Sequence, residues 1–157
     1  MNAERTDCIG FGDLRLTQRP EDFCYGVDAV ILADFAARGQ KSIKTIMDLG
    51  TGNGIIPLIL SHKTNAQKIY GVEVQENAFE IACRNVEQNG LKSKITMIHG
   101  DIRQIGTQIS AELTGSLDMV VSNPPYMASQ SGLTNVSHAK TIARHEIDKR
   151  FNSLYYI

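Results

Sequence analysis

Apolar and polar positions follow two different rhythms along this chain. Before residue 40 the apolar residues come in short bursts. Ile9, Phe11, Leu14 and Leu16, interrupted by Gly10 and Gly12, predict a short strand or hairpin over Asp7–Leu16. A loop over Thr17–Phe23 leads to a helix through Ala29–Ala37, with Asp28 as its cap and Gly39 as its end. Apolar side chains cover most of that helix, so it should pack against something large. From Ile43 onward, β-branched runs alternate with amphipathic ones. Strands are predicted at Ile43–Leu49, Lys68–Val74, Lys94–Ile98 and Leu117–Ser122. Helices are predicted at Ile55–His62, Asn77–Asn89 and, more weakly, Ile102–Leu113. Pro57 fits only a first helical turn, and Gly90 closes the second of these helices. This alternation predicts an α/β fold with a mostly parallel sheet and helices on both faces. Beyond it, Ser129–Asn135 reads as a loop, Val136–Arg150 as a basic helix, and Phe151–Ile157 as an aromatic, apolar tail.

Composition narrows the class without choosing a function. A chain of 157 residues, 42% apolar and 21% charged, suits one globular domain with a real core. The formal net charge of −1 gives no global signal for nucleic acid, so any such contact must be local. No apolar run approaches the length of a membrane span, and there is no secretory signal. Cys8, Cys24 and Cys83 are widely spaced and read as reduced thiols of a cytoplasmic protein. His62, His99, His138 and His145 lack ligand spacing, so no metal site is expected.

The chemistry begins after the first strand of the alternating region. Asp48-Leu49-Gly50-Thr51-Gly52-Asn53-Gly54 joins that strand to a helix, and glycines at alternate positions let the backbone turn sharply and approach a ligand. Glu73 lies about 20 residues past the loop, at the end of the next strand, where an acid can bind ribose hydroxyls. Gly100-Asp101 places a further carboxylate after the third strand, next to Ile102. Each acid alone could be a helix cap or a solvated charge. Together they line the carboxyl ends of successive parallel strands, where open α/β sheets bind ligands. The GxGxG spacing does not suit a pyrophosphate, and Asp48 would repel one, which disfavours a nicotinamide oxidoreductase. A cationic, phosphate-free nucleoside such as S-adenosylmethionine suits this acidic rim.

The fourth strand runs into Asn123-Pro124-Pro125-Tyr126. The Asn123 side-chain oxygen and the Pro124 carbonyl can accept the two hydrogens of a planar amino group. Tyr126 offers a face for stacking, and two consecutive prolines stiffen the loop. A proline-stiffened turn without chemistry is the plain alternative.

Taken together, these residues resemble the class I S-adenosylmethionine-dependent methyltransferases, a Rossmann-like fold. Asp48–Gly54 resembles the family's first motif, Glu73 its second, Gly100-Asp101 its third and Asn123–Tyr126 its fourth, over about Gly26 to Tyr126. The fourth motif is shared by methylases of adenine N6, cytosine N4, some guanine N2 and the release-factor glutamine. Gln18-Arg19-Pro20, Gly26–Ala33 and Ala143–Ile147 are similar to the tRNA adenine N6-methyltransferases that act next to the anticodon of valine tRNA. The resemblance implies Asp48, Gly50, Gly52, Asn53, Glu73, Asp101, Ile102 and Asn123 as cofactor residues. It implies Asn123, Pro124 and Tyr126 as the residues that hold the target base, which must be splayed out of its loop. Residues 1–40 would pack on a cofactor-binding core at 41–128, followed by the loop, helix and tail of 129–157.

The family's sheet has seven strands, whereas this chain supplies four parallel ones, and Asp148–Ile157 does not read as their continuation. The expectation is an N-terminal part of such an enzyme, lacking the C-terminal strands, with Leu117–Ser122 an apolar edge prone to self-association. Three functions stay open: a tRNA adenine N6-methyltransferase, a non-catalytic S-adenosylmethionine-binding remnant, and a protein-glutamine N5-methyltransferase.

Overall fold

The computed structural model describes residues 4–21, 24–38, 42–105 and 116–124. Strands β1 (Arg5–Cys8) and β2 (Arg15–Gln18) pair antiparallel, with Arg5 opposite Gln18 and Cys8 opposite Arg15. This is the expected hairpin, and it stands apart from the main sheet. Asn85 of the third helix and Asn89, its C-terminal cap, hold it in place. Asn85 accepts the Thr17 N–H at 2.7 Å and donates to the Thr17 carbonyl at 2.9 Å, while Asn89 bonds both backbone groups of Arg15.

Helix α1 (Val27–Ala37) begins at Gly26 rather than at an Asp28 cap. Asp28 makes no capping bond, because its carboxylate is turned elsewhere. The predicted end at Gly39 lies outside the described residues. The apolar residues of α1 pack on a neighbouring helix as expected, but only some of them face it. Ala29, Ala33 and Ala36 are buried against α2 (Ile55–Lys63), whereas Val27, Ile31 and Phe35 are exposed. Small side chains on the inner face let two helix backbones approach closely and leave the bulky residues outside.

The main sheet contains β3 (Thr45–Leu49), β4 (Lys68–Glu73), β5 (Ile95–His99) and β6 (Met119–Ser122), all parallel, in the order β5-β4-β3-β6. The third helix, α3 (Glu76–Gln88), links β4 to β5. Pro57 falls in the first turn of α2, where its missing N–H costs nothing. The register places Ile46, Ile69, Ile95 and Val121 on one face of the sheet. There they share a core with α1, α2 and α3, in which Leu58, Ile59 and Leu60 have no exposed surface. Among the described residues all three helices lie on this face. On the other face Met47 and Val72 form a smaller cluster with Tyr70, Ile98, Ile102, Ile105 and Leu117. Most of the helix expected at 102–113, the loop at 129–135 and everything beyond it lie outside the described residues.

Strands β3, β4 and β5 step outward in one direction, and the chain then returns to put β6 on the free side of β3. That reversal creates a crevice between the carboxyl ends of β3 and β6, the usual ligand position in such sheets. Asp118 fixes the approach of β6 by accepting the N–H groups of Lys44 and Thr45 at 2.8 and 2.9 Å, and these donors lower its pKa. Both predicted strands accordingly start two residues later than their apolar runs, at Thr45 and Met119.

Candidate active site

The loop leaving β3 is built on three left-handed glycines, Gly50, Gly52 and Gly54, with φ of 73°, 57° and 85°. An added Cβ at Gly50 or Gly52 would meet nothing within 4 Å, so it is the backbone angle that requires glycine, and the space above stays open. Gly54 is different, for a Cβ there would press on Met97 Cε at 3.1 Å. The loop hangs from β4: the N–H groups of Gly50 and Thr51 both donate to the Val72 carbonyl at 2.9 Å.

Glu73, at the end of β4, is buried and acts on the same loop. Its Oε2 accepts the Gly52 N–H at 2.8 Å and its Oε1 the Gln75 N–H at 2.9 Å. Burial raises the Glu73 pKa, and these two backbone donors partly offset that. Asp48 is fully buried on the neighbouring strand. Burial, with a smaller contribution from the Glu73 charge, pushes its carboxyl up to about 7. The Thr51 hydroxyl pulls the other way, but its geometry falls short of a hydrogen bond, and neither Asp48 oxygen has a partner.

Asn53 folds its side-chain oxygen onto the Ile55 N–H at 3.3 Å, leaving its Nδ2 without an acceptor. Its carbonyl is held by Asn85 Nδ2 at 2.9 Å, so one buried amide ties the glycine loop to the N-terminal hairpin. Sequence reasoning missed Asn85. Its signal was a polar residue on the stripe of α3 that buries Ile81, Ala82 and Val86. Asp101 follows β5 with its carboxylate paired to Arg103, which approaches through both its backbone N–H and its guanidinium. Ile102 packs beneath it on the opposite face of the sheet.

Asn123 follows directly on β6, across the crevice from the glycine loop. Its Nδ2 donates to Asp28 Oδ2 at 2.7 Å, while its Oδ1 is buried without a partner. Pro124 is the last described residue of this segment, and Pro125 and Tyr126 lie outside it. Among the described residues six buried side-chain N or O atoms lack hydrogen-bond partners. Five of them belong to Asp48, Thr51, Asn53 and Asn123, so the unmet polar demand of the fold is concentrated at this crevice. Among the described residues no three His, Cys, Asp or Glu side chains group as metal ligands.

A tRNA1(Val) (adenine(37)-N6)-methyltransferase from Flavobacteriaceae bacterium (strain 3519-10) is 28% identical over 92% of this chain and 57% of its own length. A release factor glutamine methyltransferase from Corynebacterium glutamicum is 33% identical over 78% of this chain and 43% of its own length. The chain thus spans about half the length of the curated relatives it matches. The solved delta-N METTL16 MTase domain superposes with a TM-score of 0.64 at 24% identity, over 91% of this chain and 64% of that one, and so shares the fold. The model of the methyltransferase small domain matches residues 26–145. With the glycine loop, the acids of β3 and β4 and Asn123 all inside that span, the chain belongs to the methyltransferase small-domain family.

Proposed function

We propose that this chain binds S-adenosylmethionine at the carboxyl ends of β3, β4 and β5 and methylates the N6 amino group of an adenine in tRNA, next to the anticodon of valine tRNA. The observation that carries this reading is Asn123. Its amide stands at the switch point of the sheet with the donor end committed and the acceptor end unused.

The residues present fit the cofactor. The open backbone at Gly50 and Gly52 admits close approach, and the uncompensated Asp48 supplies negative charge for a cationic ligand. Asn53 Nδ2 offers a spare donor. Glu73 and Asp101 are the candidates for the ribose hydroxyls and the adenine amino group, since a carboxylate offers several lone pairs and can serve more than one donor at once. When bound, S-adenosylmethionine supplies a methyl group carried on positively charged sulfur.

Asn123 Oδ1 and the Pro124 carbonyl would accept the two hydrogens of the target amino group and so aim its lone pair. As that nitrogen bonds to carbon it becomes positive and its hydrogens more acidic, so both acceptors bind it more tightly at that moment than before. Tyr126 is the residue we assign to stacking on the base. No cysteine is needed. Among the described residues no helix is long and apolar enough to cross a membrane. A tRNA substrate goes with work in the cytoplasm.

The relatives favour tRNA, since further curated proteins at 29–36% identity carry the same tRNA1(Val) name. The Corynebacterium relative keeps a second substrate in view, because a glutamine amide presents the same two hydrogens. Calorimetric titration with S-adenosylmethionine, followed by labelled-methyl transfer to unmodified valine tRNA and to a release factor, separates the readings. Transfer to tRNA alone is expected. Transfer to the release factor alone would move the substrate to protein, and binding without any transfer would leave a cofactor-binding role without catalysis. Among the described residues β6 pairs only with β3, and its Val120 is 53% exposed, which supports self-association along 117–122. A light-scattering mass that stays monomeric over a concentration series would oppose this.

A further inference from the structure

An asparagine amide has a donor end and an acceptor end of nearly the same shape, so an unrestrained one can present either to a substrate. Only one orientation suits a target amino group: an oxygen accepts its hydrogens, whereas an NH2 would repel them. Something must therefore choose the orientation of Asn123. A carboxylate can only accept, and Asp28 Oδ2 sits 2.7 Å from Asn123 Nδ2, a bond that spans 95 residues of chain. With the amino end held there, Oδ1 is the end left over.

A second observation, at Gly26, bears on the same bond. The backbone of Gly26 has φ −104°, which any residue adopts, so its angle does not call for glycine. A Cβ built there, however, would lie 2.2 Å from Asp28 Oδ1. The missing side chain makes room for the carboxylate to fold back over the start of α1 and reach β6.

We propose that Asp28 is a positioning residue for methyl transfer, fixing the Asn123 amide with Oδ1 toward the target nitrogen, and that Gly26 is glycine to permit it. The inference rests on the reading of Asn123 as the acceptor of the target amino group. Asp28 does not touch the substrate. Its charge lies one hydrogen bond away, polarises the amide, and raises the acceptor strength of Oδ1 as the target nitrogen turns positive.

The test uses the full chain and the variants D28N, G26A and D28N/N123D. Three quantities are read: S-adenosylmethionine affinity by calorimetry, kcat and KM on whichever of tRNA or release factor the wild type methylates, and the side-chain amide resonance of Asn123 in asparagine-labelled protein. In D28N and G26A cofactor affinity should stay within about twofold of wild type. Loss of a charge-assisted orienting bond should lower kcat by about tenfold to a hundredfold with KM little changed. The Asn123 amide proton should move upfield in both variants. In D28N/N123D the roles are exchanged. The amide now sits at position 28 and donates to a carboxylate at position 123, which keeps one oxygen for the substrate, so part of the lost kcat should return. An Asn123 resonance that does not move in D28N or G26A overturns the proposal. So does a fall in kcat that merely tracks lost cofactor affinity and is not recovered in the double variant, the behaviour of a simple strut between α1 and β6. A wild type that methylates neither substrate sinks the functional reading, while the amide resonance still decides the role of Asp28.

Discussion

Replacing Asp48 by asparagine removes one titratable group from a fully buried position and hardly changes its volume. The carboxyl ionises near 3.8 in a solvated chain and near 7 in the fold, raised by burial and by Glu73. Between those pH values the unfolded state has lost its proton and the folded state has kept it. Raising the pH through this window therefore favours unfolding, and above 7 the penalty is constant. At 1.36 kcal/mol per pH unit, holding Asp48 in place costs the fold about 4 kcal/mol by neutral pH. Asparagine does not titrate and escapes this cost. At pH 4 the two proteins should differ by less than about 1 kcal/mol, since both carry a neutral, unpartnered polar group at position 48 in the fold and the unfolded carboxyl has only begun to ionise. By pH 7.5 D48N should melt higher, at about 2–4 °C per kcal/mol for a chain of this size. The chain has no tryptophan, so far-UV circular dichroism is the suitable probe for thermal and urea unfolding between pH 4 and 8. A gap that is constant across pH, or a D48N protein no more stable than wild type at pH 7.5, would refute the reasoning.

The same titration has a counterpart in binding. A cationic ligand favours the ionised carboxylate, so S-adenosylmethionine affinity should rise with pH up to about 7 and then level off. In D48N it should be weaker and flat over that range. A wild-type affinity that does not vary between pH 5.5 and 8 would separate Asp48 from the cofactor.

Four further substitutions test other parts of the site. N123A should abolish methyl transfer while calorimetric cofactor affinity stays close to wild type, and unchanged turnover would remove the central assignment. N85A strands the N–H and carbonyl of Thr17 and the carbonyl of Asn53. A loss of about 2–4 kcal/mol in urea unfolding is expected, with cofactor affinity falling as the loop loosens. G52A puts a Cβ on a residue at φ 57° where no atom crowds it, so strain alone should cost about 1–2 kcal/mol. E73A should weaken cofactor affinity before it affects kcat, because it removes both a proposed ribose acceptor and the carboxylate holding the Gly52 N–H. Normal affinity in the calorimeter would leave Glu73 a structural tie only.

Much of this architecture could be read from residue types because the relevant signals are local. Alternating apolar runs located β3 to β6 within two residues at their ends, and glycines at alternate positions located a loop with three left-handed residues, unmatched among the described residues. Asn123 stood out because an amide next to a proline is an uncommon pair of acceptors. What stayed hidden depends on contacts distant in sequence. Asp28 has the composition of a helix cap, and only the return of β6 to the side of β3 gives it a different partner. Asn85 is a polar residue on the buried face of α3. Its purpose appears only when the hairpin and the glycine loop converge on it. The inner face of α1 could not be chosen for a related reason: periodicity cannot tell whether alanines or bulky residues face a neighbouring helix.

The unpaired atoms at the crevice also argue for one kind of ligand over another. Each buried polar atom without a partner costs the fold about 1–3 kcal/mol, so a sequence selected only for stability would not gather them in one place. Asp48 contributes two acceptors, Asn123 one acceptor, Thr51 a hydroxyl and Asn53 a single donor group. The surplus is of acceptors, and two of them belong to a carboxylate. A ligand that satisfies this set must be rich in donors and positively charged, as an ammonium-bearing nucleoside and a target amino group are together. The pyrophosphate of a nicotinamide dinucleotide supplies only acceptors and negative charge, and would leave the same atoms unsatisfied beside a repelling carboxylate. Titration of the chain with NAD and with S-adenosylmethionine under the same conditions should therefore show heat for the second alone. Comparable binding of the dinucleotide would mean that these unpaired acceptors do not select the ligand.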